Sequence, residues 1–147
     1  MVEAHSRIRY NLNVDAFITR QAGVDLEALH LLAPGSRSWG LVFGHKRGFR
    51  FIVERAFPSP AGWPLPPAAR LEALNRLWEG RLIGLFSVRD RAVLKPEALG
   101  PYFYGKLVLD LRGPSGAASA KAYVVDFERR FFLSPIALSR GRKGGTE

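Results

Sequence analysis

Ser87, Val88, Arg89 and Asp90 follow directly on the apolar run Leu82-Ile83-Gly84-Leu85-Phe86. A hand-over from a strand to polar side chains is a common place for chemistry, because a rigid element ends there and a loop begins. A serine hydroxyl at such a point could stabilise or attack a carbonyl, and an arginine fork suits a carboxylate or phosphate. Asp90 and Glu97 could be imagined as an acid pair, but nothing in their setting argues for it. No Ser/His/Asp arrangement is legible. The three histidines, His5, His30 and His45, form no pair at strand or helix spacing. His30 sits in an apolar helical stretch and reads as an edge or core residue. Cysteine is absent, which excludes disulfides and thiolate metal ligands. The segment GPSGAAS lacks the lysine and the strand-to-helix setting of a phosphate loop. We therefore expect no catalytic residue, no metal and no cofactor.

The rest of the chain must position this strand end. Its 147 residues fit one domain, and 47% hydrophobic with 24% charged residues is the balance of a globular protein. The formal charge is +9, which favours acidic partners such as nucleic acid, anionic membranes or acidic proteins. Arginine dominates that charge, and an Arg-rich balance also follows from GC-rich codons. The opening residues carry no apolar leader segment, and no apolar run approaches a membrane span. A soluble cytoplasmic protein is the expectation.

RIRYNLNV alternates and reads as a strand. Asp15 or Asn13 is expected to cap a helix from Asp15 to Leu32, with Gly23 as an interruption. SWGLVFGHKRGFRFIVERAF reads as a hairpin turning near His45 to Gly48. A Pro-rich loop carrying Trp63 leads into a second helix, Pro67 to Gly80, with Leu71, Leu74, Leu77 and Trp78 on its buried face. RLIGLF is a buried strand, PEALGPYFYG a short helical or irregular piece, and KLVLDLR, AKAYVVDFE and RRFFLSPIAL three closing strands. The expected fold is a layered α/β mixed sheet flanked by two main helices. It should occupy residues 1–138, with a basic disordered tail at 139–147.

Two stretches resemble the JAB/MPN domain family. Gly40-Leu41-Val42-Phe43-Gly44 is similar to its Gly-Leu-Leu-x-Gly strand, and RLIGLF to its Val-Val-Gly-Trp-Tyr strand. The element order matches from Arg7 to Leu138. Active members are zinc isopeptidases that use an upstream Glu, a His-x-His pair and a following Ser-x-x-Asp. The resemblance puts Arg37 at the Glu, Ser87 and Arg89 at the two His, Glu97 at the Ser and Gly100 at the Asp. All five positions are changed, and guanidinium offers only donors, so it cannot ligate zinc. What this implies is a degenerate member, a pseudoenzyme whose vacated zinc pocket holds Arg37, Ser87, Arg89, Asp90, Glu97 and Gly100. At least one Arg–carboxylate contact is expected there, either as an internal ion-pair network or as an anion pocket.

The expected function is a non-enzymatic protein-interaction or scaffold module, a homodimer or a heterodimer with another domain of the same family. Trp63, Tyr102 and Tyr104 are the interface candidates. The alternative is a small basic domain that binds nucleic acid, with Tyr102 to Tyr104 stacking on bases. The second alternative is an isopeptidase-like enzyme with a rebuilt site.

Overall fold

Asp15–Ile18 (β1) is a four-residue strand, with Ala16 and Ile18 buried and Asp15 and Phe17 half-buried. The computed structural model describes residues 14–32, 38–59, 64–111 and 120–141. The helix predicted from Asp15 therefore starts later, as α1 (Arg20–Leu32). Its cap is Thr19, whose Oγ1 accepts the Ala22 N–H at 3.2 Å. Phe17 and Ile18 favour strand, and the first available capping side chain beyond them is the threonine. Gly23 lies inside the helix without breaking it. Of the strand expected at Arg7 to Val14, only Val14 falls among the described residues.

Ser38–Arg47 (β2) and Arg50–Pro58 (β3) form the expected antiparallel hairpin, in which Arg47 pairs with Arg50. Its turn is Gly48-Phe49 rather than His45 to Gly48, because Gly48 takes the left-handed φ of 62° that a two-residue hairpin turn needs. Ala68–Leu77 (α2) follows, stopped by Gly80 at φ 78°. Leu82–Val88 (β4) leads to a single helical turn, Pro96–Leu99 (α3), with proline at its first position. Leu107–Leu111 (β5), Ala120–Glu128 (β6) and Arg130–Arg140 (β7) complete the chain. β7 thus runs two residues into the segment read as tail, and residues 142–147 lie outside the described part.

This element order is the expected one, but the architecture is not. The strands close into a barrel in the order β1-β3-β2-β4-β5-β6-β7. No open layered sheet between two helices is formed. Closure comes from β1, which pairs in parallel with β3 on one side and with β7 on the other. β4 and β5 are also parallel, and the other pairs are antiparallel. One end of the barrel, here the near end, is where β2 turns into β3, β6 turns into β7, and β1, β4 and β5 begin. At the far end β4 and β5 finish and β2 and β6 start.

The barrel interior is one apolar cluster to which every strand contributes, including Ala16, Val42, Val53, Phe86, Leu109 and Ala122, with Ile136 and Leu138 of β7 against it. A second cluster lies outside β4 and β5. There Leu85, Val108 and Val125 meet Leu71 of α2, Leu99 of α3 and Phe103. β4 and β5 are therefore buried over their whole length, which is why both read as unbroken apolar runs. Gly84 is required at their line of contact, because a Cβ there would collide with the Leu107 carbonyl.

β1 is too short to cover all of β3, and α1 takes over where it ends. Thr19 N–H donates to the Val53 carbonyl at 3.0 Å. Beyond that point Asp25 reaches across, accepting from the Ala56 N–H at 2.9 Å and from Arg55 Nε at 2.8 Å. A strand edge that would otherwise stay open is thus closed by a carboxylate. Among the described residues no helix is long and apolar enough to cross a membrane.

Candidate functional site

At the far end, Trp39, Ser87, Asp110 and Lys121 are successive register partners across β2, β4, β5 and β6. Directly opposed residues share a sheet face and lie about 4.5–5.5 Å apart at Cβ. Their face is the outer one, since Trp39, Leu85 and Val108 all belong to the outer cluster. Ser87 and Asp110 are buried there. The buried aspartate was missed in the sequence, although a lone carboxylate inside the apolar run KLVLDLR was a visible signal.

The Ser87 hydroxyl is committed to its own turn. It donates to the Asp90 carbonyl at 2.8 Å and accepts the Asp90 N–H at 3.0 Å. Asp90 Oδ1 in turn accepts from Ala92 N–H at 3.2 Å and Val93 N–H at 3.4 Å. These two side chains lock the exit of β4. Arg89 does not share a side with Ser87 by strand alternation, because the strand ends at Val88 and Arg89 takes a left-handed φ of 59°. Glu97 is exposed on the single turn of α3. Gly100 seats a ring, since a Cβ there would run into Phe131. Arg37 and Trp63 lie outside the described residues.

Arg–carboxylate contacts join Arg50 to Asp15, Arg55 to Asp25 and Arg81 to Glu54. Burial alone would raise the Asp25 pKa, but the bonds from Arg55, the Ala56 N–H and Gln21 outweigh it and hold the carboxyl below its ordinary value. Glu54 behaves likewise. Its burial is outweighed by bonds from His45 and Arg81, and its pKa is lowered. Tyr102 is half-buried, edge-on to Phe103 at 5.2 Å, with Lys106 Nζ 4.9 Å from its ring centre. Burial pushes its hydroxyl pKa up, and the Glu72 charge adds to this. Tyr104, by contrast, is exposed. No group of three His, Cys, Asp or Glu side chains comes together to hold a metal among the described residues.

The fold is similar to the solution structure of protein DSY2949 from Desulfitobacterium hafniense, with a TM-score of 0.55 at 16% identity over 88% of this chain and 96% of that one. A likeness at that identity carries the fold alone. No protein-family model and no curated protein matches the sequence. The JAB/MPN resemblance is thereby corrected. A closed seven-stranded barrel is unlike that family's layered sheet, and the similar solved structure carries no JAB/MPN assignment. The glycines behind the resemblance have a local cause, close approach of neighbouring strands. With the resemblance go the vacated zinc pocket and the degenerate-enzyme reading of Ser87, Arg89, Glu97 and Gly100.

Two surfaces were not recognised in the sequence, although Tyr104 of the second was an interface candidate. On the outside of the barrel Phe43 supports Phe57 at 5.5 Å and Trp78 at 4.5 Å, and both of these rings are exposed. Leu77 beside them is 77% exposed. Periodicity had assigned Leu77 and Trp78 to the core, but Leu71 is the residue of α2 that is buried. At the near end, the two hairpin turns and Tyr104 leave aromatic rings in solvent.

Proposed function

We propose that this chain is a protein-interaction domain that docks an acidic protein through Phe57, Leu77 and Trp78. The observation that carries the reading is the exposure of Phe57 and Trp78, both set against the supporting Phe43 ring, together with that of Leu77, next to Trp78 in the chain. Contiguous apolar patches rimmed by polar groups mark interaction sites, and tryptophan is enriched among their anchors. Arg55 lies over the Phe57 ring at 4.8 Å, and Arg76 and Arg81 are exposed nearby. With a formal charge of +9, two copies of this chain repel one another, which favours a heterologous acidic partner over a homodimer.

The test is saturable binding of a captured acidic partner, titrated against Trp78→Ala and Leu77→Asp. Leu77 is exposed enough for its variant to fold as the parent does. Both variants are expected to weaken the complex by at least about 30-fold, as hot-spot anchors do. Undiminished binding by both variants removes the reading. A dimer seen by sedimentation that Leu77→Asp dissolves makes the partner a second copy instead.

A further inference from the structure

We propose that the near end of the barrel binds single-stranded nucleic acid, with Phe49 as a stacking platform between basic side chains. This is independent of the docking patch on the outer wall and uses different residues. Among the described residues, three aromatic rings stand in solvent at this end. Phe49 is 63% exposed at the tip of the β2–β3 hairpin, and Tyr104 and Phe127 are exposed beside the β6–β7 turn. Phe131 backs the latter two, at 6.2 Å from Tyr104 and 4.8 Å from Phe127.

Cations alternate with these rings. Lys46, Arg47 and Arg50 surround Phe49, while Arg129 and Arg130 follow Phe127 in the second turn. Asp15, Asp126 and Glu128 offset them only in part. Arg50 and Asp15 neutralise each other, and Asp126 and Glu128 keep their charge, so the excess comes from Lys46, Arg47, Arg129 and Arg130 together. Lys46 and Arg47 have no ion-pair partner among the described residues. Basic side chains that track a backbone, interleaved with aromatic faces for bases, are what sequence-tolerant single-strand binding needs.

The geometry narrows the ligand further. A cavity opens between the two hairpins, lined by Lys46, Phe51, Asp126 and Ser134 among others, but its volume is only ≈ 50 Å³. That holds a water or two and no nucleobase, so the contact lies on the rim. Among the described residues this end presents turns and no helix for a duplex major groove. Phe49 on one turn and Tyr104 with Phe127 beside the other are set among charged side chains, a poor anchor for a lipid surface, which takes a continuous apolar face.

The test uses the full chain and a fluorescent single-stranded oligothymidylate, followed by anisotropy. Binding is expected at about 50 mM salt and should weaken roughly 20–50-fold by about 200 mM, the release expected for three to four phosphate contacts. Phe49→Ala and Phe49→Leu should each weaken binding at least about 5-fold, whereas Phe49→Tyr keeps it, because stacking needs a planar ring. Arg47→Ala should lower the salt slope by about 0.7. Arg91→Ala, at the far end, should change nothing. Absence of binding at the lower salt overturns the proposal. So does binding indifferent to both Phe49→Ala and Arg47→Ala, as a tail-borne interaction would be. Preference for the matched duplex, or for phosphatidylserine vesicles over the oligonucleotide, also overturns it.

Discussion

The two ends of the barrel treat polar turn residues in opposite ways. Both use a non-glycine residue in the left-handed region, Arg89 at φ 59° after β4 and Arg129 at φ 67° between β6 and β7. At the far end the side chains fold back on the backbone. Ser87 bonds both polar groups of the Asp90 backbone, and Asp90 caps the next turn. At the near end the side chains point outward, and aromatic and cationic groups stand in water. The difference follows from burial. Ser87 is fully buried on the outer face of β4, and a buried hydroxyl must find partners inside the protein. Phe49 and Arg129 are exposed at the tips of their turns. A polar strand end that looks chemically equipped is here a structural lock, whereas residues resembling turn filler carry exposed rings and cations.

The largest effect expected is one that spoils both ends together. Gly84→Val forces a side chain into the Leu107 carbonyl between β4 and β5, where neither backbone has room to move. Overpacking of this kind costs 1–3 kcal/mol in ordinary cores, and about 3 kcal/mol or more is expected here. A neutral denaturation midpoint would place the two strands further apart than described.

Next comes the contrast itself. Ser87→Ala leaves the half-buried Asp90 N–H and carbonyl without their partner and should cost about 1–2 kcal/mol. Phe49→Ala should stay within about 0.5 kcal/mol, the range for exposed positions. Equal losses in urea unfolding would break the comparison.

Smaller still is the acid response of the seam beside β1. The Asp25 carboxyl sits below its ordinary value in the fold, so the unfolded chain takes up the proton first as pH drops. Its contribution is fully present above the unfolded carboxylate range near 4 and is lost as pH falls through the lowered folded value. Asp25→Asn should flatten that part of the stability–pH curve while leaving its neutral region level. A slope identical to the parent's would remove Asp25 as its source.

The smallest change expected is a gain. Arg129→Gly relieves a left-handed residue and should stabilise by up to about 1 kcal/mol, yet weaken oligonucleotide binding. Loss of stability would show that the arginine side chain itself holds the turn.

Much of the chain order was legible because burial imposes periodicity. β4 and β5 are unbroken apolar runs, and the β2–β3 hairpin carries its glycine turn. Closure was not legible. β1 is four residues long, and its partners β3 and β7 are recognisable only in space. The start of α1 was misread because Asp15 and Thr19 are both good caps, and strand pairing of Phe17 and Ile18 decided between them. Ser87 was rightly placed at a strand end, but its role was not, since spacing alone does not reveal what covers a side chain. Leu77 and Trp78 have the pattern of a buried face, yet Leu71 is the residue of α2 that is buried, and Trp78 meets the barrel at the Phe43 ring while staying exposed.

The pairing of β1 with β7 also sets when the molecule can be completed. As the chain leaves the ribosome, β1, β2, β3 and β4 can assemble early, with α1 already guarding part of the β3 margin. The opposite flank of β1 has no complement until almost the last described residue has been synthesised. Contacts this distant along the chain slow folding, because the loop must be closed before it is rewarded. During that wait an incomplete sheet offers a bare edge to other nascent chains. The shortest strand is therefore the one that decides how long the newborn protein needs protection.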